Sequence, residues 1–555
     1  MLNFIALWNR IINQYREHVL LTSLIVTGLL FLFVLVIFTP AYETNDDTAM
    51  ALSVAGKVIS DTPNPYIRNS NIIIGFLLST LHKIIPSVSW YAFYLLFTHF
   101  AAMVLLLYSL LTYKYTVTRI VLFIIYFIFI EIHFLMNLQF TSTSCIAAIA
   151  GLLLFYVTAE RGRASFFIIS GGVIFWASLM RLEAIYLVLA MFFPLAVFRV
   201  RQNVLKYVLF FVIVLSLCVG AWKYNNFYLK KDGAWNEYFE KVGLLQKFLD
   251  FQEAPYNEST KPYFDKVNWT FVDYVMLMTW NFSDKVLFSA EKMKEVLANF
   301  PSLRLSAPVQ TISRYFRLIL SDRGVHYILF VLVLFGVCTR FTKEKALSLL
   351  FILIVLSGLL SYMMLFMKLE RRVYLSMFSF IAAVALLFAD FEISTKSLTR
   401  QRLAGWIGVL VAVIMSVSVF SLSVQQSRFN KYWNQEVRAA VQAINPRAEQ
   451  LYVVWGPAFP FERLLPFDGF EYLENFKVLW LCGLTVTPFF DERMKSFQIE
   501  DINKALYEKQ NVFVFIPEQI IRYYAEFVKA HYGDELEFGR FSGTNVFSLY
   551  KVTKK

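Results

Sequence analysis

The stretch Asn71-Ile-Ile-Ile-Gly-Phe-Leu-Leu-Ser-Thr-Leu-His-Lys-Ile-Ile85, closed by Pro86, decides how this chain is threaded. It is apolar but shorter than the runs around it, and it carries His82 and Lys83. Eleven further apolar runs lie at roughly 19–39, 91–112, 120–136, 144–159, 165–180, 184–198, 207–222, 325–340, 346–367, 373–389 and 403–422, each a candidate membrane span. Suppose 71–85 does not cross and the N-terminus is cytoplasmic. The inner loops then contain Arg10, Arg16, Lys114, Arg119, Arg161, Arg163, Arg199, Arg201, Lys206, Arg340, Lys343, Lys345, Lys396, Arg400 and Arg402. Every inner loop is basic, as the positive-inside bias requires; a crossing at 71–85 would turn the later clusters outward. The segment therefore reads as a helix lying at or dipping into the outer surface, with the C-terminus outside.

Composition points the same way. Of 555 residues, 58% are hydrophobic and only 17% charged, against about half and a quarter in soluble domains. The expected fold class is an α-helical polytopic membrane protein of about 11 transmembrane helices, with a C-terminal extracytoplasmic α/β domain. A net charge of +12 raises nucleic acid or anionic lipid as partners. The inner loops, however, hold 15 basic residues against 5 acidic, whereas 424–555 holds 16 of each. The surplus reports orientation, and nucleic acid drops out. Cys145, Cys218, Cys338 and Cys482 are scattered, without disulfide or zinc spacing. The six histidines lack any HExxH pattern. The first run ends at Thr39-Pro40 with no small-residue cleavage site, so it reads as a retained span.

Two segments are long enough to fold outside the membrane, giving a membrane module over 1–423 (with outer loops 40–90 and 223–324) and a soluble domain over 424–555. In the large loop, Trp235 to Phe251 has helical apolar spacing, and its aromatics are expected at the membrane interface. In 424–555, β-rich runs at 451–455, 477–480 and 511–515 alternate with helical segments, notably 517–531, before a strand pair near 536–551. No GxGxxG, P-loop or Gly-x-Ser-x-Gly accompanies them.

Polar residues at the outer ends of the spans are not explained by topology. Glu43-Thr-Asn-Asp-Asp47 follows the first span. Asp46 and Asp47, with Glu43 one turn before, read either as first-turn acids of a helix capped by Thr44 or Asn45, or as a general base or metal ligand. Consecutive helical side chains point about 100° apart, so one of the two would face a reaction. Arg181 and Glu183 sit where spans five and six meet, as a local ion pair or as part of an anion site. Lys368, Arg371 and Arg372, between spans nine and ten, run against the positive-inside bias and suit a phosphate or an anionic lipid. Glu131 and His133 fall in the third span, where pairing with a neighbouring helix, such as through His99, competes with a cavity role. Together these clusters suggest one site, with acid chemistry beside an anion clamp.

On these residues the chain resembles the GT-C superfamily of integral membrane glycosyltransferases. Glu43-Thr-Asn-Asp-Asp47 occupies the place of that superfamily's acidic motif just after span one, 71–85 that of a surface helix, and eleven spans match a protein mannosyltransferase-like arrangement. The Tyr42–Gly75 region is similar to that of bacterial multi-span proteins grouped with these enzymes. The resemblance implies transfer of a sugar from a polyprenyl-phosphate donor to an acceptor hydroxyl (glycan, lipid or protein) at the outer face of the plasma membrane. It casts Asp46 or Asp47 as base, Arg181, Lys368, Arg371 and Arg372 as binders of the lipid phosphate, and Glu43, Glu183, Glu131 and His133 as supporting residues. No cofactor is required by the sequence, and the superfamily leaves room for a divalent metal, Mg or Mn. The chain departs from the oligosaccharyltransferase pattern in lacking a WWD-type sequence or a second acidic motif. An O-antigen-type polymerase or ligase, a transporter or flippase of lipid-linked sugars, and a non-enzymatic membrane protein stand as alternatives.

Overall fold

The computed structural model describes residues 18–67, 69–161, 163–200, 204–251, 253–300, 308–339, 342–389, 400–485, 487–543 and 547–555. Arg10, Arg16, Arg201, Arg340 and Lys396 lie outside them, as do the side chains of Arg161, Arg400 and Arg402. Among the described residues, nine helices are long and apolar enough to cross a bilayer. Pro308–Ser321 and Arg323–Val337 form a further pair bent by 73°. Ala164–Met180, at 17 residues, lies at the lower limit for a span. Each of the eleven apolar runs is thus helical, but the eighth is a short helix behind a sharp bend.

The helix in the deciding stretch is Ile72–Ile84. Thirteen residues rise only about 20 Å, short of a hydrocarbon core of about 30 Å. Its start is sewn down: the Asn71 amide donates to Leu179 O (2.8 Å), the Asn71 side chain to Ala221 O (3.0 Å), and the Ile72 amide to Asn225 Oδ1 (2.8 Å). Gly75 is required here, since a Cβ would sit 1.8 Å from the Pro65 carbonyl oxygen.

The centre of the bundle is Phe140–Thr158, every residue of which is buried. Its Ser, Thr, Ala and Gly content lets neighbouring backbones approach, as membrane helix packing requires. Ser144 Oγ donates to Ala177 O at 2.8 Å, and the His99 ring bridges Glu131 (2.7 Å) and Thr143 (2.9 Å). Glu131 ends a π-helical turn, Phe127–Glu131, within the third span, and its partner is the neighbouring-helix histidine that pairing required. At one end of the bundle, Arg119 donates to the carbonyls of Leu110, Leu387 and Ala389, and Lys345 to that of Phe388. Basic residues here cap helix C-termini, where the carbonyls lack intrahelical partners. The acidic segment lies at the opposite end.

Helix Arg400–Ile444 runs unbroken out of the bundle, so the expected boundary at 424 falls inside a helix. Beyond it lies a five-stranded sheet of order β4-β3-β5-β7-β6, built from β3 (Leu451–Trp455), β4 (Lys477–Leu481), β5 (Val512–Phe515), β6 (Leu536–Gly543) and β7 (Ser548–Lys554). β3 pairs in parallel with β4 and β5, while β7 runs antiparallel to β5 and β6. A further two-stranded ladder, β1 (Ala41–Tyr42) with β2 (Asn137–Leu138), joins the segment after the first span to the turn after the third.

Side chains alternate across the large sheet, as strand geometry demands. Leu451, Val453 and Trp455 face a core shared with Phe248, Phe264, Trp269 and Met276 of the large loop. Tyr452 and Val454 face a second core shared with Leu52, Val58 and Ile59 of the first outer loop and with Trp235. The loop aromatics expected at the membrane interface are therefore largely interior, because the sheet offers them a dry surface. Arg493 and Lys477 add a clamp on Asp61 at 3.0 and 2.6 Å. A chain cut after residue 445 should lose folding of the 245–300 region, seen as protease sensitivity there while the spans stay intact. A loop that resists protease without the sheet would show that it folds alone.

Candidate functional site

The acidic segment is fixed from both sides. The β1–β2 ladder continues into a bond from the Glu43 amide to Leu138 O at 3.0 Å. Helix Asn45–Ala55 then begins, with Thr44 in extended backbone as its cap residue. Thr44 does not cap an amide: its hydroxyl donates to Asp47 Oδ2 at 2.8 Å. The helix ends at Gly56, in the left-handed region (φ +67°), where a Cβ would lie 2.3 Å from Pro63 N.

Asp47 is fully buried. Its Oδ1 accepts from the Tyr91 hydroxyl (2.9 Å) and from the Phe140 amide (3.0 Å), the first of the central helix, whose next two amides are capped by Gln139 Oε1. Burial pushes this carboxyl up to about 7, against the three hydrogen bonds that favour its charged form. Asp46 points elsewhere, into a cavity of about 290 Å³ bordered by Tyr66, Trp235, Trp280, Trp480 and the loop Cys482–Leu484. The two adjacent acids thus sit in different surroundings, one buried among donors and one at a cavity.

Glu43 is half-buried, and burial raises its carboxyl, while Arg371 and Arg372 pull it down and Glu370 and Asp322 push it up. Arg371 itself makes a two-pronged pair with Asp322, at 2.8 and 3.1 Å. It also lines a second cavity of about 500 Å³, with His133, Asn137, Arg323 and Gln426 as polar lining and Phe129, Tyr327 and Leu422 among the apolar. Lys368 pairs with Glu370 (2.8 Å) and Asp250 (3.4 Å). Arg181 pairs with the exposed Glu183 at 3.0 Å, and its guanidinium lies over the Phe140 ring at 5.6 Å.

Of the residues expected to share one site, Asp46 lines the first cavity and His133 and Arg371 line the second, while Glu43, Arg181, Lys368 and Arg372 line neither. Glu43 is among the charges around Arg371 and Arg372, Arg181 lies over the ring of Phe140, whose amide donates to Asp47, and none of these arginines lines the cavity of Asp46. Asn137, at the cationic cavity, pairs with Ala41, and Asp46 is five residues further on, at most about 18 Å of extended chain. Arg323 was not singled out from the sequence because it lies at the large loop's end, and Trp280 because its surroundings come from three distant segments. Among the described residues, no three His, Cys, Asp or Glu side chains are grouped to hold a metal ion.

No family model and no curated protein matches the chain. Among solved structures it is similar to ArnT from Cupriavidus metallidurans bound to undecaprenyl phosphate, at 11% identity over 98% of this chain and 97% of that chain, with a TM-score of 0.37. A likeness that distant carries no argument, and the functional reading rests on the chain's own geometry.

The Asp47 environment makes a signed prediction. A carboxyl held above its unfolded value near 4 favours folding fully below that value, and the contribution is lost as pH rises through about 7. The unfolding temperature of detergent-solubilised Asp47→Asn, relative to wild type, should therefore rise between about pH 4 and pH 8. A difference that does not change with pH would contradict the buried, proton-holding carboxyl.

Proposed function

We propose that this chain is a GT-C-type integral membrane glycosyltransferase, moving a sugar from a polyprenyl-phosphate donor to an acceptor hydroxyl at the outer face of a bacterial plasma membrane. The observation that carries this reading is the course of one short segment: Glu43 lies among the charges around Arg371 and Arg372, and Asp46, three residues on, borders the aromatic cavity. A carboxylate at one cavity, linked by a short segment to a second cavity that holds Arg323, Arg371 and apolar side chains, suits the reaction of an amphiphilic sugar phosphate with an acceptor hydroxyl.

In this reading Asp46 is the base. The acceptor oxygen attacks the anomeric carbon and its proton passes to the Asp46 carboxylate, while the bond from that carbon to the phosphate oxygen breaks. The lipid phosphate leaves with the bonding electrons, and its growing charge is met by Arg371 and Arg372, joined by Arg323 and, further out, Lys368 and Arg181. Cations placed in advance stabilise that charge more in the transition state than in the ground state. The phosphate competes with Asp322 for Arg371, whose planar fork suits either anion. Asp47 is a positioning residue, because its bonds to Phe140 and Tyr91 hold the turn that aims Asp46. Glu43, Glu183 and His133 tune the cations, and Glu131 ties helices together.

Purified protein in nanodiscs, supplied with radiolabelled polyprenyl-phosphate hexoses or pentoses and cell-envelope acceptors, should transfer sugar, and Asp46→Asn should slow the transfer by about 10²- to 10⁴-fold. Undiminished transfer in Asp46→Asn would overturn the base assignment. A periplasmically active reporter fused after Lys555 should be active, consistent with a cytoplasmic N-terminus. Activity only of a cytoplasmic reporter would invert the topology.

A further inference from the structure

The cavity beside Asp46 has a construction that the transfer chemistry does not explain. It opens where β3 and β4 end, at Gly456 and Cys482, which is the carboxyl edge of parallel strands, where open α/β sheets bind ligands. Tyr66 and Trp235 stack face to face, with centroids 4.5 Å apart and planes 12° from parallel. Across from the sheet, Trp280 sits in the left-handed region at φ +72°, an outlier for so bulky a residue. Gly456 is also left-handed, and a Cβ there would come within 3.7 Å of the Trp280 ring.

The Trp280 conformation is over-determined by its neighbours. The Trp280 amide donates to Leu277 O (3.1 Å) and the Asn281 amide to Met276 O (2.9 Å). The Asn281 side chain reaches Asn503 Oδ1 of the C-terminal layer at 3.3 Å. The amide hydrogen bonds of Trp280 and Asn281 are those that close the C-terminus of helix Phe271–Met278, and they make Trp280 the left-handed residue just past its cap, which fixes where the ring stands. The polar lining comprises Asp46, Ser53, Cys482, the hydroxyl-bearing Tyr66 and Tyr238, Thr487, whose hydroxyl donates to Leu484 O, and Asn45, whose buried Oδ1 has no hydrogen-bond partner in this structure.

We infer that this cavity is a carbohydrate site holding one sugar ring of the acceptor, with Trp280 and the Tyr66–Trp235 stack against its C–H faces and Asp46 and Asn45 at its hydroxyl edge. A volume of about 290 Å³ lies at the lower end of the range for small-molecule pockets, fitting a single ring rather than a folded peptide. Aromatic faces with polar groups beside them match the amphiphilic pattern of a pyranose. The word acceptor rests on the transferase reading; the ligand class rests on the lining alone.

The test uses the full chain in nanodiscs without donor, probed by saturation-transfer NMR and calorimetry with a panel of methyl glycopyranosides and their disaccharides. Wild type should bind at least one glycoside saturably. Trp280→Ala should weaken that binding about fivefold, Trp280→Tyr should retain most of it, and Leu484→Trp, which fills the cavity from a loop, should abolish it. The absence of binding by any glycoside, or binding indifferent to both Trp280→Ala and Leu484→Trp, would overturn the inference even if sugar transfer occurs. Trp280-dependent binding in a protein that transfers no sugar would instead uphold the carbohydrate site and refute the transferase.

Discussion

The carboxylate of Asp47 is the constraint on which the rest of this structure depends. It is fully buried and accepts from Thr44, Tyr91 and the Phe140 amide. Three elements meet there: the first outer loop, the second span and the start of the central helix. Charge at a helix N-terminus is favoured by the exposed amides and the aligned peptide dipoles, which offsets part of the cost of burying it. Asp46, the residue before it, lines the aromatic cavity, and Glu43 is held at the other end by the β1–β2 ladder.

The C-terminal layer completes what the bundle begins. Its sheet is covered on one face by the large outer loop and on the other by the first outer loop and the emerging long helix. The apolar residues of both loops are continuous with those of the sheet in these two cores. The same packing brings Trp235 and Trp280 to the carboxyl ends of β3 and β4, beside Asp46. The C-terminal layer thus forms one wall of the cavity and the acidic segment another.

Much of this was legible in the residues. Apolar runs marked the long helices because length and hydropathy are local properties of the sequence, and the strand runs at 451–455, 477–480 and 511–515 were marked by continuous β-rich segments between turns. The short helix Ile72–Ile84 was legible from the charges that flank distant spans. What stayed hidden depends on side-chain direction and long-range packing. Asp46 and Asp47 are adjacent in sequence and indistinguishable in type; only the packed bundle shows that one turns inward and the other toward a cavity. Phe248 and Trp269 look alike whether they anchor in lipid or fill a core, and the sheet that buries them lies about 200 residues away. The left-handed Trp280 carries no sequence signal, since the helix end that sets it lacks the glycine that commonly marks such a position.

Two cavities joined by one acidic segment form the centre of this account, and a cryo-electron microscopy structure of the full chain with a polyprenyl-phosphate sugar bound tests it most directly. The account predicts phosphate density against Arg323, Arg371 and Arg372, the lipid tail running down past Phe129 and Leu422, and the sugar directed along Glu43 toward Asp46. Phosphate density at the opposite end of the bundle, beside Arg119 and Lys345, would contradict it.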